Sequence, residues 1–178
     1  MSSMSPWLQI AHLFDRDDGS LPDVFVDNLS SEQLVKIYGW VMSQCVVLGN
    51  PSTWHVAEEK DIALKAISDP AKAFLDGEIK TFRHGLGGLT INGCVLPLLT
   101  ISLETPTCIS FDYRSGSEWN ERTITAFLQF VFGIREQAPN ARIWRTDEGA
   151  WDRPSSKFTA ALKQFEAETK GSVAQRPR

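Results

Sequence analysis

The chain has little with which to build metal or disulfide chemistry: three cysteines and three histidines in 178 residues. Cys45, Cys94 and Cys108 are odd in number, form no C-x-x-C pair and sit in mostly apolar surroundings. That predicts reduced, buried thiols rather than a disulfide framework. His12, His55 and His84 are scattered without ligand spacing, so no metal is expected, and no cofactor motif replaces it. Long apolar runs are absent too. The longest, Val95 to Leu99 around Pro97, falls far short of a membrane-spanning helix. The opening MSSMSPWLQIAHLFDRDD lacks the basic region and continuous apolar stretch of a secretory signal, so a cytoplasmic location is expected. Positive charge is scarce as well: 18 Lys and Arg stand against 22 Asp and Glu, a formal net charge of −4. Nucleic acid is therefore not expected as a partner.

What is present is an ordinary globular composition, 42% hydrophobic and 22% charged, enough to bury one core. No linker or repeat divides the chain. The sequence predicts one domain over residues 1–170 and a flexible tail over 171–178.

Val24 and Val26 alternate with charged or aromatic neighbours in a predicted strand at Asp23 to Asp27. NLSSEQLVKIYGWVMSQC then begins a helix with complete local instructions. Ser30 and Gln33 are spaced as a capping box, and Leu29 and Leu34 as a hydrophobic staple. Leu34, Ile37, Tyr38, Val41 and Cys45 recur at helical spacing, with Gly49-Asn50-Pro51 as the expected stop. A short strand is expected at Thr53 to Val56, then a loop with Glu58, Glu59 and Asp61, then a short helix from Asp69-Pro70 to about Gly77. From Ile79 to Arg114 strand follows strand, with a hairpin at Asn92-Gly93 and a turn at Thr105-Pro106. In CISFDYR, Ile109, Phe111 and Tyr113 point one way and Ser110, Asp112 and Arg114 the other, as in a half-buried antiparallel strand. A helix at about Trp119 to Gln137, a strand at Ala141 to Arg145 and a last helix carrying Phe158, Leu162 and Phe165 complete the chain. Consecutive strands with helices outside them make this an α+β domain with a mostly antiparallel sheet.

Few motifs carry chemistry. The run of Gly85, Gly87 and Gly88 is followed by strand residues and a hairpin signal rather than a helix, so it reads as a bulged or kinked strand, not a phosphate loop. DRDDGSLPD fails as a calcium loop: counting from Asp15, Gly19 is fifth and Val26 twelfth, where the pattern needs glycine sixth and glutamate twelfth. A catalytic group could be assembled from His84, Cys108, Asp112 and Arg114, but no local signature places a nucleophile beside a base. Trp119, Trp144 and Trp151 lie at element boundaries. There they cap the core edge or anchor a recognition surface.

Three stretches, SLPDVFVDNLSSEQLVKIYGWVM, GGLTINGCVLPLLTISLETPTCISFDYRSGSEWNERTITAFLQFV and KFTAALKQF, together resemble small bacterial cytoplasmic immunity proteins encoded beside polymorphic toxins. The resemblance spans most of the chain and transfers no site motif. It implies a non-catalytic inhibitor whose partner is a cognate toxin domain. An acidic inhibitor suits a toxin with a basic active site. On that reading the partner-binding residues are Asp15, Asp17, Asp18, Asp23, Asp112, Glu118 and Trp119. Two other readings stand beside it: a small enzyme using a polar sheet face around His84 and Asp112, and an adaptor or chaperone subunit. Oligomeric state is left open.

Overall fold

Strands with an apolar side chain at every second position need a covered face, and here six of them share one. The structure, a computed structural model, describes residues 4–174. Its main sheet has the order β10-β1-β9-β8-β5-β2, built from β1 (Asp23–Asp27), β2 (Val46–Leu48), β5 (Phe82–Gly87), β8 (Leu99–Thr105), β9 (Cys108–Tyr113) and β10 (Arg142–Thr146). Every neighbouring pair is antiparallel. Two small hairpins flank it, β3 (Ser52–His55) with β4 (Lys60–Ala63) and β6 (Thr90–Ile91) with β7 (Cys94–Val95). This is the α+β, mostly antiparallel architecture expected from the pattern.

The helices are α1 (Pro6–Ile10), α2 (Ser31–Met42), α3 (Pro70–Leu75), α4 (Glu121–Gln137) and α5 (Ser156–Ala174). Their ring contacts all reach the same side of the sheet. Phe130 of α4 meets Phe111, Phe127 of α4 meets Tyr113, Tyr38 of α2 meets His84, and Phe74 of α3 meets Phe82. Cross-strand register puts Val24, Phe111, Ile101 and His84 in one row of that face. The core therefore fills one side only.

Local sequence accounts for several boundaries. Ser30 Oγ accepts the Gln33 N–H while the Gln33 side chain accepts the Ser30 N–H, the reciprocal cap read in the sequence. Asn120 and Thr123 make the same arrangement at the start of α4. Asn92 and Gly93 both have positive φ, 48° and 73°, as the two-residue turn joining β6 to β7 requires.

Four differences from the expected elements have physical causes. The α2 helix stops at Met42, so Cys45 is not on it, and Val46–Leu48 pairs with β5 as an edge strand. β-branched Val46 and Val47 suit that pleat. The stretch expected as a loop with Asp61 is β4, which β3 recruits by pairing Ser52 with Ala63. Pro6 starts a short helix in the N-terminal stretch, where the sequence pattern predicts no element. Finally, α5 runs to Ala174, into the stretch expected as a tail; residues 175–178 lie outside the described residues.

One buried charge ties the N-terminal stretch to the sheet. Arg145 is 3% exposed. It donates from Nε to Tyr113 Oη at 2.8 Å, from Nη1 to Asp147 Oδ1 at 2.8 Å and from Nη2 to the Leu13 carbonyl at 3.2 Å. A buried guanidinium is tolerable because its donors are met this way. Cys94 and Cys108 are buried and Cys45 half-buried, all as free thiols.

Candidate functional site

The sheet's second face carries no helix. Register fixes which side chains it presents. Thr146, Asp23, Asp112, Thr100 and Gly85 form one row across five strands, and Trp144, Phe25, Ser110, Ser102 and Arg83 form the next. The face divides into three zones of different chemistry.

At its centre are carboxylates. Asp23 and Asp112 are direct cross-strand neighbours on β1 and β9, an arrangement of like charges that destabilises a sheet. Arg83 Nη2 donates to Asp112 Oδ2 at 3.0 Å. The Asp23 carboxylate has no hydrogen bond or ion pair among the described residues. Its pKa is pushed up to about 6, first by burial and then by Asp112, Glu104 and Glu148, against the pull of Arg83. Burial also raises the Asp112 carboxyl, while Arg83 and a Thr100 hydrogen bond lower it. Beside this pair Ser110 donates from Oγ to Glu104 Oε1 at 2.7 Å. A polar depression of about 410 Å³ opens there between Ser52, Arg83, Ser102 and Glu104.

Toward β10 the face is aromatic. Phe25 and Trp144 stack with centroids 5.2 Å apart, and the Arg142 guanidinium lies 4.5 Å over the Trp144 ring. Toward β2 it is apolar. Val46, Leu48 and Leu98 are all more than 40% exposed. The glycine run explains how they lie there: a Cβ on Gly87 would come within 2.6 Å of Leu48 Cδ2 and 3.1 Å of Val46 Cγ2, and one on Gly85 within 3.2 Å of Leu48 Cβ. Glycine in this strand lets neighbouring side chains lie flat across the sheet. No bulge is needed, since β5 pairs continuously with β8 from Phe82 to Leu86.

Of the residues singled out in the sequence, the structure places Asp23 and Asp112 together on this face. Asp15, Asp17, Asp18 and Glu118 are exposed in loops. Asp17 Oδ1 accepts from Arg114 at 3.0 Å, and Asp18 Oδ1 accepts from the Ser20 backbone and hydroxyl. Trp119 is 7% exposed, packs against Phe14, Tyr113 and Phe127, and donates from Nε1 to the Arg114 carbonyl at 2.8 Å. Its ring is core, not an exposed anchor.

His84 and Asp112 do not meet. His84 shares the helix-covered side with Ile101 and Phe111, whereas Asp112 is on the other. Its Nδ1 lies 3.2 Å from the Gly85 carbonyl and Nε2 lies 3.0 Å from Tyr38 Oη. A carbonyl only accepts, so Nδ1 carries the proton and Nε2 accepts the Tyr38 hydroxyl. Burial lowers the pKa of this imidazole. The polar face around His84 and Asp112 expected for an enzyme therefore does not exist: the sheet separates the two. Cys108 is on the helix-free side, but burial pushes its thiol up to about 12, far from a reactive thiolate. Among the described residues no group of three or more His, Cys, Asp or Glu is arranged to hold a metal, and no helix is long and apolar enough to cross a membrane.

Sequence reasoning missed Arg83, Glu104, Phe25, Trp144 and Arg142 as parts of one surface. The period-two pattern of Leu99, Ile101 and Leu103 against Thr100, Ser102 and Glu104 carried the signal for the middle strands. The strand order that joins them did not show.

No family model matches this chain, and no curated protein matches it. Among solved structures, it is similar to a chain in the crystal structure of the toxic C-terminal tip of CdiA from Pseudomonas aeruginosa in complex with immune protein. The identity is 13%, the TM-score is 0.49, and the match covers 74% of this chain and 88% of that one. A likeness at this level carries no argument about what this chain binds.

Proposed function

We propose that this chain is a non-catalytic binding protein of the immunity type, which neutralises a basic toxin domain by docking it on the helix-free sheet face. The observation that carries the reading is the Asp23 carboxylate, half-buried and unpaired beside Asp112. Folding alone gives no reason to keep two acids opposite each other. A cationic partner does, because it relieves their repulsion and supplies the missing ion pair. The zones on either side fit a protein partner in the same way, with aromatic and apolar groups to bury around a polar centre. Asp15, Asp17, Asp18 and Glu118 then act at the rim, where exposed charges speed encounter more than they hold the complex. Trp119 has no direct contact in this reading.

The experiment is co-expression with the product of each gene encoded beside this chain, a toxin among them being the candidate partner. Wild type is expected to rescue growth and co-purify with the toxin. Asp23→Lys with Asp112→Lys is expected to lose both while remaining folded. Full rescue by the double variant would remove the face from the interface, and absence of any complex with a neighbouring gene product would end the immunity reading.

A further inference from the structure

A second site is built on the opposite side of the sheet edge, where it owes nothing to the carboxylate face. A cavity of about 530 Å³ lies between α2, the β2 edge and the segment leading into α3. That volume is within the usual range of small-molecule sites. Its wall is apolar, from Val35, Tyr38, Met42, Val47, Leu64 and Ile67, and it is shared by α2, β2 and the segment leading into α3.

Gly39 is the second observation. It sits inside α2, where glycine costs about 1 kcal/mol relative to alanine. In a helix glycine is commonly explained by close approach of another element, but a Cβ here would meet nothing within 4 Å. What the missing side chain does instead is leave the cavity wall open. By contrast, Gly133 on α4 has the Trp40 ring within 2.8 Å of its Cβ position.

The polar lining residues are Asn50, Lys65, Ser68 and Asp69, of which the first three are exposed and so lie at the mouth, with Asp69 half-buried beside them. Asp69 Oδ1 already accepts the Lys72 N–H as the cap of α3. Lys65, by contrast, is exposed and makes no ion pair among the described residues, and Asn50 and Ser68 make no side-chain hydrogen bond there. The mouth thus offers one cation without an ion pair, two neutral polar groups and the Asp69 carboxylate, one oxygen of which the α3 cap takes up.

We propose that this cavity binds a small amphipathic carboxylate, its aliphatic or aromatic body against Val35, Met42 and Leu64 and its carboxylate paired with Lys65 at the mouth. The apolar wall selects the body, and Lys65 selects the head, since it has no ion pair whereas the Asp69 carboxylate is engaged by the α3 cap.

The probes are 1-anilinonaphthalene-8-sulfonate, an aromatic body with one anionic group, and octanoate as its competitor, with octan-1-ol as the uncharged control. Wild type is expected to bind the fluorophore at one saturable site and release it to octanoate. Gly39→Leu, which adds a side chain in open space on a helix, is expected to keep the fold and weaken fluorophore binding by more than tenfold. Val35→Phe fills the same cavity from a different position and gives the same expected loss should Gly39→Leu not fold. Lys65→Ala is expected to weaken octanoate by about tenfold and to leave octan-1-ol unchanged. Leu98→Ser, on the other sheet face, is expected to change nothing, which separates this site from the apolar patch there. Wild-type affinity in folded Gly39→Leu or Val35→Phe overturns the site. Equal displacement by octanoate and octan-1-ol overturns the anionic head group. Should cavity-filling variants bind the fluorophore normally but lose a protein partner, the cavity takes a partner's side chain and the small-molecule proposal fails.

Discussion

Asp23 makes a claim about stability as well as binding. A carboxyl whose value in the fold lies above its unfolded value of about 3.9 holds its proton more tightly when folded. With Asp23 raised to about 6, its contribution to stability is fully present below about pH 4 and is lost as the pH rises through 6. Ionised Asp23 therefore weakens the free protein at neutral pH. Asp23→Asn is expected to raise stability at pH 7 by roughly 1–2 kcal/mol, allowing for screening at a half-buried site, and to flatten the fall between pH 4 and 6. Urea titrations at a series of pH values measure this; an Asn variant less stable than wild type at pH 7 would show that Asp23 has a stabilising partner in the fold. A residue that weakens the free fold and is expected to tighten a complex follows the pattern of functional sites set against stability.

At the scale of elements, helix termini and turns were legible because their chemistry is local. Ser30 with Gln33 and Asn92 with Gly93 need no distant partner, and each lies where its residues placed it. The same logic placed Ile109, Phe111 and Tyr113 on one side of β9 and Ser110 and Asp112 on the other. Elements that exist only through a distant partner were not legible. Val46–Leu48 reads as the tail of a helix until Gly85 and Gly87 are seen to make room beside it, and Lys60–Ala63 reads as a loop until β3 pairs with it. The α2–α4 contact is of this distant kind, and it can be tested. A Cβ on Gly133 would come within 2.8 Å of the Trp40 ring, which stacks on Phe130 at 5.7 Å. Gly133→Ala gains helix propensity yet is expected to destabilise the protein by about 1–3 kcal/mol through overpacking. Unchanged or raised thermal stability would mean that the ring moves aside freely.

At the scale of the whole molecule, the layer arrangement shapes the proposed interface more than any motif does. Helices on one side only leave a sheet face with a carboxylate centre and hydrophobic flanks, and the same layering hides His84 from Asp112. One-sided packing could be inferred from alternation in single strands. The strand order β10-β1-β9-β8-β5-β2 that gathers Trp144, Asp23, Asp112 and Arg83 onto one surface could not, because β1 enters between β9 and β10 from far away in sequence. The central claim is that this face, and not the loop acids, holds a cationic protein partner. The measurement that tests it most directly is the binding kinetics of the toxin candidate against wild type, Asp23→Asn with Asp112→Asn, and Asp15→Asn with Asp17→Asn and Asp18→Asn, each at low and physiological salt. The face variant is expected to dissociate at least about tenfold faster, because it loses charge-assisted contacts inside the interface. The loop variant is expected to associate more slowly with dissociation nearly unchanged, an effect that shrinks as salt screens charges beyond ~8 Å. Wild-type dissociation from the face variant, with the loop variant alone releasing the toxin faster, would contradict the claim and move the interface to the loops.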